Sequence, residues 1–284
     1  MNEKYQGVSI VNSINFNAQI NLNRSEKAVA SSMEKLSSGK RINSAADDAA
    51  GIAIALKFAA QIVGADQASR NANDGISMMQ TADSGLEHVA DNLQRMRELA
   101  VQSANGTYTA ADRNTMQLEY QQNQVEVQHT VESTEFNGLK LLNNPASLAF
   151  QIGPNSNQST DRTVVSTANI LANAQVNDAL INSNISSQTT GSDAIGKIDA
   201  AFEYVNIERA RLGATQNRLE STISNLQVSS ENGTAARSRI EDTDYAKQTA
   251  ELTRSLILHK ASLAAAAHSN ISGQMVAGLL NKSF

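Results

Sequence analysis

The chain has no cysteine, which removes disulfides, Cys-ligated zinc and thiol chemistry from its repertoire. It also has no tryptophan, only 4% aromatic residues and 2 prolines among 284 residues. Few large rings are available to anchor a compact core and few residues interrupt helices, so long helices packed through Ala, Leu, Ile, Val and Met are expected. With a formal net charge of −5, the chain lacks the clustered Lys/Arg excess that phosphate neutralisation demands, so nucleic acid is not an expected partner. No uninterrupted apolar run reaches the roughly 18 residues of a membrane span, so membrane insertion is not expected. Residues 1–7 lack the charged start, apolar stretch and small-residue cleavage site of a secretory signal peptide. If the protein leaves the cell, another route is implied.

What the sequence has is periodicity. Counting by sevens from Gly51 gives Phe58, Ala65, Ala72, Met79, Leu86, Leu93 and Ala100, and the interleaved set is Ile54, Gln61, Ala68, Gly75, Ala82, Val89, Met96 and Ser103. Only Gln61 is plainly wrong for a buried seam. A 3.5-residue repeat held across residues 44–103 predicts one helix of a coiled-coil-like bundle, about 80 Å long at ~1.5 Å per residue. Such a helix needs long partners to bury its stripe. Local rules make Asn73-Asp74-Gly75 a turn, but the heptad phase is unchanged across it, so the helix is expected to run through. The small residues Ala65, Ala68, Ala72 and Gly75 would admit a neighbouring backbone.

Ahead of this helix, Leu22, Val29 and Leu36 form a thin heptad between residues 8 and 38, a helix that would be marginal alone. Gly39 reads as its C-cap, with Lys40 and Arg41 at the negative end of the helix dipole. Ser44 with Asp47 reads as a capping box for the long helix, and Asp48 as added negative charge in its first turn. After Asn105-Gly106, residues 109–112 start a second helix that carries Met116, Tyr120, Val127 and Val131 back along the first. Glu135-Phe136-Asn137-Gly138 is turn chemistry. Residues 139–142 and 148–152 flank Asn143-Asn144-Pro145 and predict a β-hairpin, with a third strand at 162–165 and a polar connection at 183–192. From Ile195 onward, Ile198, Val205, Leu212, Leu219 and Leu226 answer the first stripe, and residues 238–280 form a last helix. The expected fold is mostly α: a long antiparallel coiled-coil-like helical rod with a small β-hairpin region and its N- and C-terminal helices paired.

No reaction centre emerges. His88, His129, His259 and His268 are dispersed, with no pair at ligand spacing on one helical turn, and solvated helix positions are the simpler reading. Asp47-Asp48 is accounted for by a helix start. Neither a phosphate-cradling glycine loop, a dinucleotide fingerprint nor a nucleophile elbow is present. No enzyme activity, cofactor or metal is expected. Leu99 lies off the heptad seam, one turn after Arg95 and next to Glu98, and is expected to face outward. Together with Val101 and the second helix, it predicts that a further face is covered by another copy of the chain.

Several stretches are specific enough to carry a resemblance: Leu36-Ser37-Ser38-Gly39-Lys40-Arg41-Ile42-Asn43-Ser44-Ala45-Ala46-Asp47-Asp48, Leu93-Gln94-Arg95-Met96-Arg97-Glu98-Leu99-Ala100, Glu135-Phe136-Asn137-Gly138, and the segments 67–76, 212–219 and 236–246. Through them the chain resembles bacterial flagellin over nearly its whole length. The resemblance implies an extracellular structural subunit that polymerises as a helical homopolymer into the flagellar filament used for swimming, exported by the flagellar type III system. It implies an inner domain split between 1–43 and 245–284, and a rod domain split between 44–182, which holds the hairpin region, and 193–244. A short connection at 183–192 stands where longer flagellins carry an outer variable domain. The implied partners are other copies, a flagellar export chaperone, hook-junction and cap proteins, and a vertebrate Toll-like receptor. Arg95, Leu99 and Glu119 match the motif that this receptor reads and are also implied at the subunit interface. The residues ahead of Val8 and the tail Leu279-Leu280-Asn281-Lys282-Ser283-Phe284 depart from the family pattern. A hook–filament junction protein shares the terminal motifs, but the motif from Arg95 to Asn105 favours flagellin. From another class, a carbohydrate- or surface-binding adhesin would use the hairpin and the Asn/Ser-rich loop.

Overall fold

The computed structural model describes residues 2–144 and 147–282, the side chains of 2–15, 272–273 and 276–282 excepted. Pro145, the side chains of Ile14 and Leu279 and the tail end Ser283-Phe284 lie outside the described residues. The elements are α1 (Asn2–Ser38), α2 (Ala49–Ala104), α3 (Ala110–Ser133), β1 (Glu135–Phe136), β2 (Leu139–Lys140), β3 (Ser147–Gln151), β4 (Arg162–Ser166), α4 (Ala174–Leu180), α5 (Gln188–Glu241) and α6 (Tyr245–Lys282). The protein is therefore mostly α. The chain divides into two compact units, one of residues 1–59 and 233–284, the other of residues 60–232.

In the 60–232 unit, α2 and α5 lie antiparallel, as a ladder of contacts shows. Ser230 Oγ donates to Asp66 at 3.1 Å, a Cβ on Gly75 would sit 3.2 Å from Leu219 Cδ1, Arg209 Nε meets Asp83 at 2.8 Å, and Arg97 Nε meets Asp199 at 2.6 Å. Every position of the two predicted stripes from Ala65 to Ser103 is buried, and so are Ile198, Val205, Leu212, Leu219 and Leu226 on α5. Each large side chain buried in this way contributes about 1.5–3 kcal/mol of transfer free energy, so this seam is the main source of the unit's stability. The helix runs unbroken through Asn73-Asp74-Gly75. Gly75 makes room for the side chains of Leu219 and Phe150 rather than for a backbone. Ile54, assigned to the same stripe, is 48% exposed. The answering apolar set on α5 ends at Leu226, and Ser229-Ser230-Glu231-Asn232 follows it.

α3 begins on a full capping box, with Thr109 Oγ1 accepting from the Asp112 amide and the Asp112 carboxylate accepting from the Thr109 amide. The Asp112 carboxylate accepts from both the Thr109 amide and the Thr109 hydroxyl, which holds it below the usual range. Tyr120, Val127 and Val131 are buried as predicted, and Met116 is partly buried. The hairpin expected across Asn143-Asn144-Pro145 is not formed. Instead β1 pairs with β2 and β3 with β4, both antiparallel. Asn137 and Gly138 supply two successive positive φ angles, 51° and 76°, which a tight two-residue hairpin turn requires. The strand after that turn therefore folds back on Glu135-Phe136, and Leu141 and Leu142 drop into the core. The next strand, β3, takes 162–166 as its partner, with the loop closed by Ile152 N donating to Asp161 O at 2.7 Å. α4 was not expected. Asn173 caps it, and Val176, Ala179 and Leu180 present one buried face at helical spacing. α5 begins at Gln188, within the expected connection, where Ser187 and Thr190 exchange hydrogen bonds between side chains and backbone amides.

In the other unit α1 and α6 pair antiparallel: Tyr245 Oη donates to Leu36 O at 3.1 Å, and Ser25 Oγ lies 3.2 Å from His259 Nδ1. Gly39 closes α1 at φ +70°. Beyond it, Lys40 pairs with Asp242 as an isolated bridge and its ammonium with Glu241. This cation, with Arg237, holds the Glu241 carboxyl below its usual range against the opposing effect of burial. The capping box expected at Ser44 is a turn instead. The Asp47 carboxylate accepts the amides of Asn43 and Ser44 at 3.0 Å each, and the helix starts two residues later, capped by Asp48 accepting from the Gly51 amide at 2.8 Å. The last helix is also corrected. Residues 238–241 belong to α5, and α6 restarts at Tyr245 after Asp244 accepts the Ala246 and Lys247 amides.

Candidate functional site

The sequence placed its site at Arg95, Leu99 and Glu119. The structure brings Arg95 and Glu119 together: the guanidinium bridges α2 and α3, Nε donating to Glu119 Oε1 at 2.8 Å and Nη1 to Glu98 Oε2 at 2.9 Å. All three side chains are about half exposed. The bonds to Glu98 and then to Glu119 favour the charged form of Arg95 still further. Leu99 is not outward. It is 2% exposed and belongs to the same buried cluster as Tyr120 and Val127. The reason is a second line on α2, in which Met78, Gly85, Asn92 and Leu99 recur every seven residues. Of these, only Asn92 is not fully buried. A Cβ on Gly85 would lie 2.6 Å from Thr134 Oγ1 and 2.9 Å from Leu142 Cδ1, so chain following α2 packs directly on this line. Val101 does face outward, at 48% exposure, beside a groove of about 730 Å³ lined by Leu93, Gln94, Arg97, Ile198, Asp199 and Phe202.

The histidines are also less dispersed than their spacing suggested. His88 and His129 line one groove of about 530 Å³ between α2 and α3, together with Glu126 and Glu135. Among the described residues, no group of three or more His, Asp or Glu side chains is arranged to hold a metal ion. His259 is half-buried against Ser25 rather than freely solvated.

The larger signal is apolar surface. In the unit of residues 1–59 and 233–284, the buried apolar side chains among the described residues are Ile42 and Ala55; on α1 and α6 the fully buried ones are Ser25, Ser32, Ser255 and Ser269, with Leu22, Val29, Leu36 and Leu252 half-buried beside them. Phe16, Met33, Leu56, Ile257, Leu258 and Ile271 are all more than half exposed. α2 contains an 18-residue window of mean hydropathy 1.4 of which 17% is buried, long and apolar enough to cross a membrane by length and composition. That window meets the length criterion although charged and polar residues interrupt it. Elsewhere, Leu118 and Val125 on α3 and Ile207 and Val228 on α5 are also more than half exposed. Sequence periodicity found buried stripes and missed these outer ones, although Leu118 and Val125 stand seven residues apart.

Comparison with known proteins gives this surface a context. Residues 11–147 match the model of the bacterial flagellin N-terminal helical region and residues 195–280 that of the bacterial flagellin C-terminal helical region. A flagellin of Halalkalibacterium halodurans is 47% identical over 267 residues, covering 93% of this chain and 94% of that protein. The flagellar filament 33 kDa core protein of Treponema phagedenis is 42% identical over 275 residues, covering 93% of this chain and 96% of that protein. Among solved structures, a putative flagellar hook-associated protein from Vibrio parahaemolyticus shares the fold with a TM-score of 0.57 at 14% identity, over 69% of this chain and 100% of that one.

Proposed function

Because the chain belongs to the bacterial flagellin family, we propose that it is a structural subunit that polymerises with its own copies into an extracellular flagellar filament. The observation that carries this reading is the inverted character of the unit formed by residues 1–59 and 233–284. Among the described residues the fully buried positions on α1 and α6 are serines, with Leu22, Val29, Leu36 and Leu252 only half-buried beside them, while Phe16, Met33, Leu56, Ile257, Leu258 and Ile271 face water. Exposed apolar side chains in this number mark an interaction site, and in a family whose relatives are named as filament core proteins the partner is the same chain. Residues 1–43 and 245–284 then act as the assembly segments, and residues 44–182 and 193–244 as the body that displays them. The exposed apolar window of α2 is covered by neighbouring copies rather than by lipid.

On the same reading the protein leaves the cell through the flagellar export channel, serves swimming, and meets an export chaperone and the hook-junction and cap proteins on its way. A helix pair with so little apolar burial among its described side chains opens at low cost, which suits export in unfolded form. Sedimentation of the concentrated protein tests the polymer. A pellet that grows above a threshold concentration is expected, and a monomer at every concentration would refute the proposal.

The Arg95–Glu119 pair is also the proposed recognition patch for the vertebrate Toll-like receptor, with Leu99 fixing α2 beneath it rather than touching the receptor. A half-exposed Arg bridging two helices has the composition of a binding hot spot. With soluble monomer in a receptor-reporter assay, changing Arg95 and Glu119 together to Ala is expected to weaken the response at least about tenfold, the effect of roughly 1.4 kcal/mol. An undiminished response would remove the patch from recognition.

A further inference from the structure

Two outward strips in the 60–232 unit are alike in a way that buried packing does not explain. On α3, Ala111, Thr115, Leu118, Gln122, Val125 and His129 follow one another at alternating spacings of four and three, and Leu118 and Val125 are 64% and 58% exposed. On α5, Ile207, Ala214, Ser221 and Val228 stand seven apart and are all exposed, Ile207 and Val228 at 51% and 56%. Both strips keep the heptad period of a helix–helix seam and lie opposite the buried face of their own helix; at the four-and-three spacing used on α3, the exposed Arg211 and Arg218 interleave with the α5 positions.

Charge fixes which strip meets which. Beside the α3 strip stand Glu119 and Glu126, seven residues apart, and beside the α5 strip stand Arg211 and Arg218, also seven apart. Within the chain one member of each pair is engaged, Glu119 by Arg95 and Arg211 by Glu208. Glu126 and Arg218 are exposed and, among the described residues, have no oppositely charged partner. Acidic flanks on one helix and basic flanks on another are the arrangement by which flanking charges select partner helices in coiled coils.

We propose that the α3 strip of one copy docks on the α5 strip of a second copy, with Glu126 of the first paired to Arg218 of the second. The contact rests on the filament reading and gives it a specific interface. Its two halves are different surfaces, so the contact is head-to-tail; it cannot close a two-fold dimer and repeats into an open helix unless its rotation closes a ring. Flanking charges outside the apolar centre govern which neighbour is accepted.

A charge swap tests it in the full-length protein, read by sedimentation of polymer. Glu126→Arg alone and Arg218→Glu alone are each expected to raise the threshold concentration for assembly at least about tenfold, and the two together to restore it toward the wild-type value. Monomer melting should be unchanged, since both side chains are exposed. Glu126→Gln and Arg218→Gln, expected to weaken assembly less, replace either swap variant that melts abnormally. Single variants that assemble like wild type, or a double variant no better than the singles, would overturn this contact while leaving self-assembly standing. A wild-type chain that forms no polymer would overturn both.

Discussion

Replacing Leu99 by Asp is expected to unfold the 60–232 unit, not merely to weaken contacts between copies. The side chain is 2% exposed and packed in the cluster that holds Met96, Ala100, Tyr120 and Val127. Truncating a leucine in such a place costs about 2–5 kcal/mol through lost transfer energy and the cavity left behind. Placing a carboxylate there adds several kcal/mol, because the nearest cation on the same helix face, Arg95, is already bonded to Glu98 and Glu119 and could reach the site only by abandoning them. Against a typical total of about 5–15 kcal/mol, little or no folded population should remain. Circular dichroism of monomer at neutral pH should show lost cooperativity or a melting point lower by tens of degrees. Leu99→Met, which conserves volume, should cost less than about 1.5 kcal/mol. A Leu99→Asp monomer melting within a few degrees of wild type would mean that Leu99 is not in the core.

Deleting residues 1–38, or residues 245–284, is expected to abolish polymerisation while leaving a cooperatively folding protein. The main core, from Ala72 to Leu219, lies wholly outside both segments, so its melting point should move by no more than a few degrees. The deleted segments carry between them the exposed side chains Phe16, Met33, Ile257, Leu258, Ile271 and Met275. Burying about six such side chains between copies supplies on the order of 10 kcal/mol, comparable with the roughly 4–15 kcal/mol that association costs in lost freedom. Removing them leaves the equilibrium on the side of monomer. Filaments formed by either truncated protein would show that the assembly energy resides elsewhere.

Much of this is legible in the sequence itself. The heptads on α2 and α5 located the main seam because buried apolar side chains at 3.5-residue spacing leave few alternatives, and the continuous phase carried α2 correctly through Asn73-Asp74-Gly75. The same reasoning failed at Leu99 because one stripe was taken as the whole buried surface of the helix. The line Met78, Gly85, Asn92 and Leu99 holds one glycine and one amide, so it looks polar, although Gly85 is there to let Thr134 and Leu142 approach. The hairpin was misplaced for a related reason. Asn143-Asn144-Pro145 reads in the sequence as the turn, whereas Asn137-Gly138, the stronger two-residue signal, sets the pairing. α4 went unseen because seven residues carry too little periodicity to stand out. The outward strips on α3 and α5, and the proposed pairing of Glu126 with Arg218, depend on knowing which faces are already filled, and that is a property of packing.

Electron microscopy of the purified full-length protein, concentrated above its assembly threshold, tests the central claim most directly. Continuous helical filaments whose only component is this chain are the expected result. Particles that stay monomeric, or that close into small two-fold oligomers at every concentration, would contradict it.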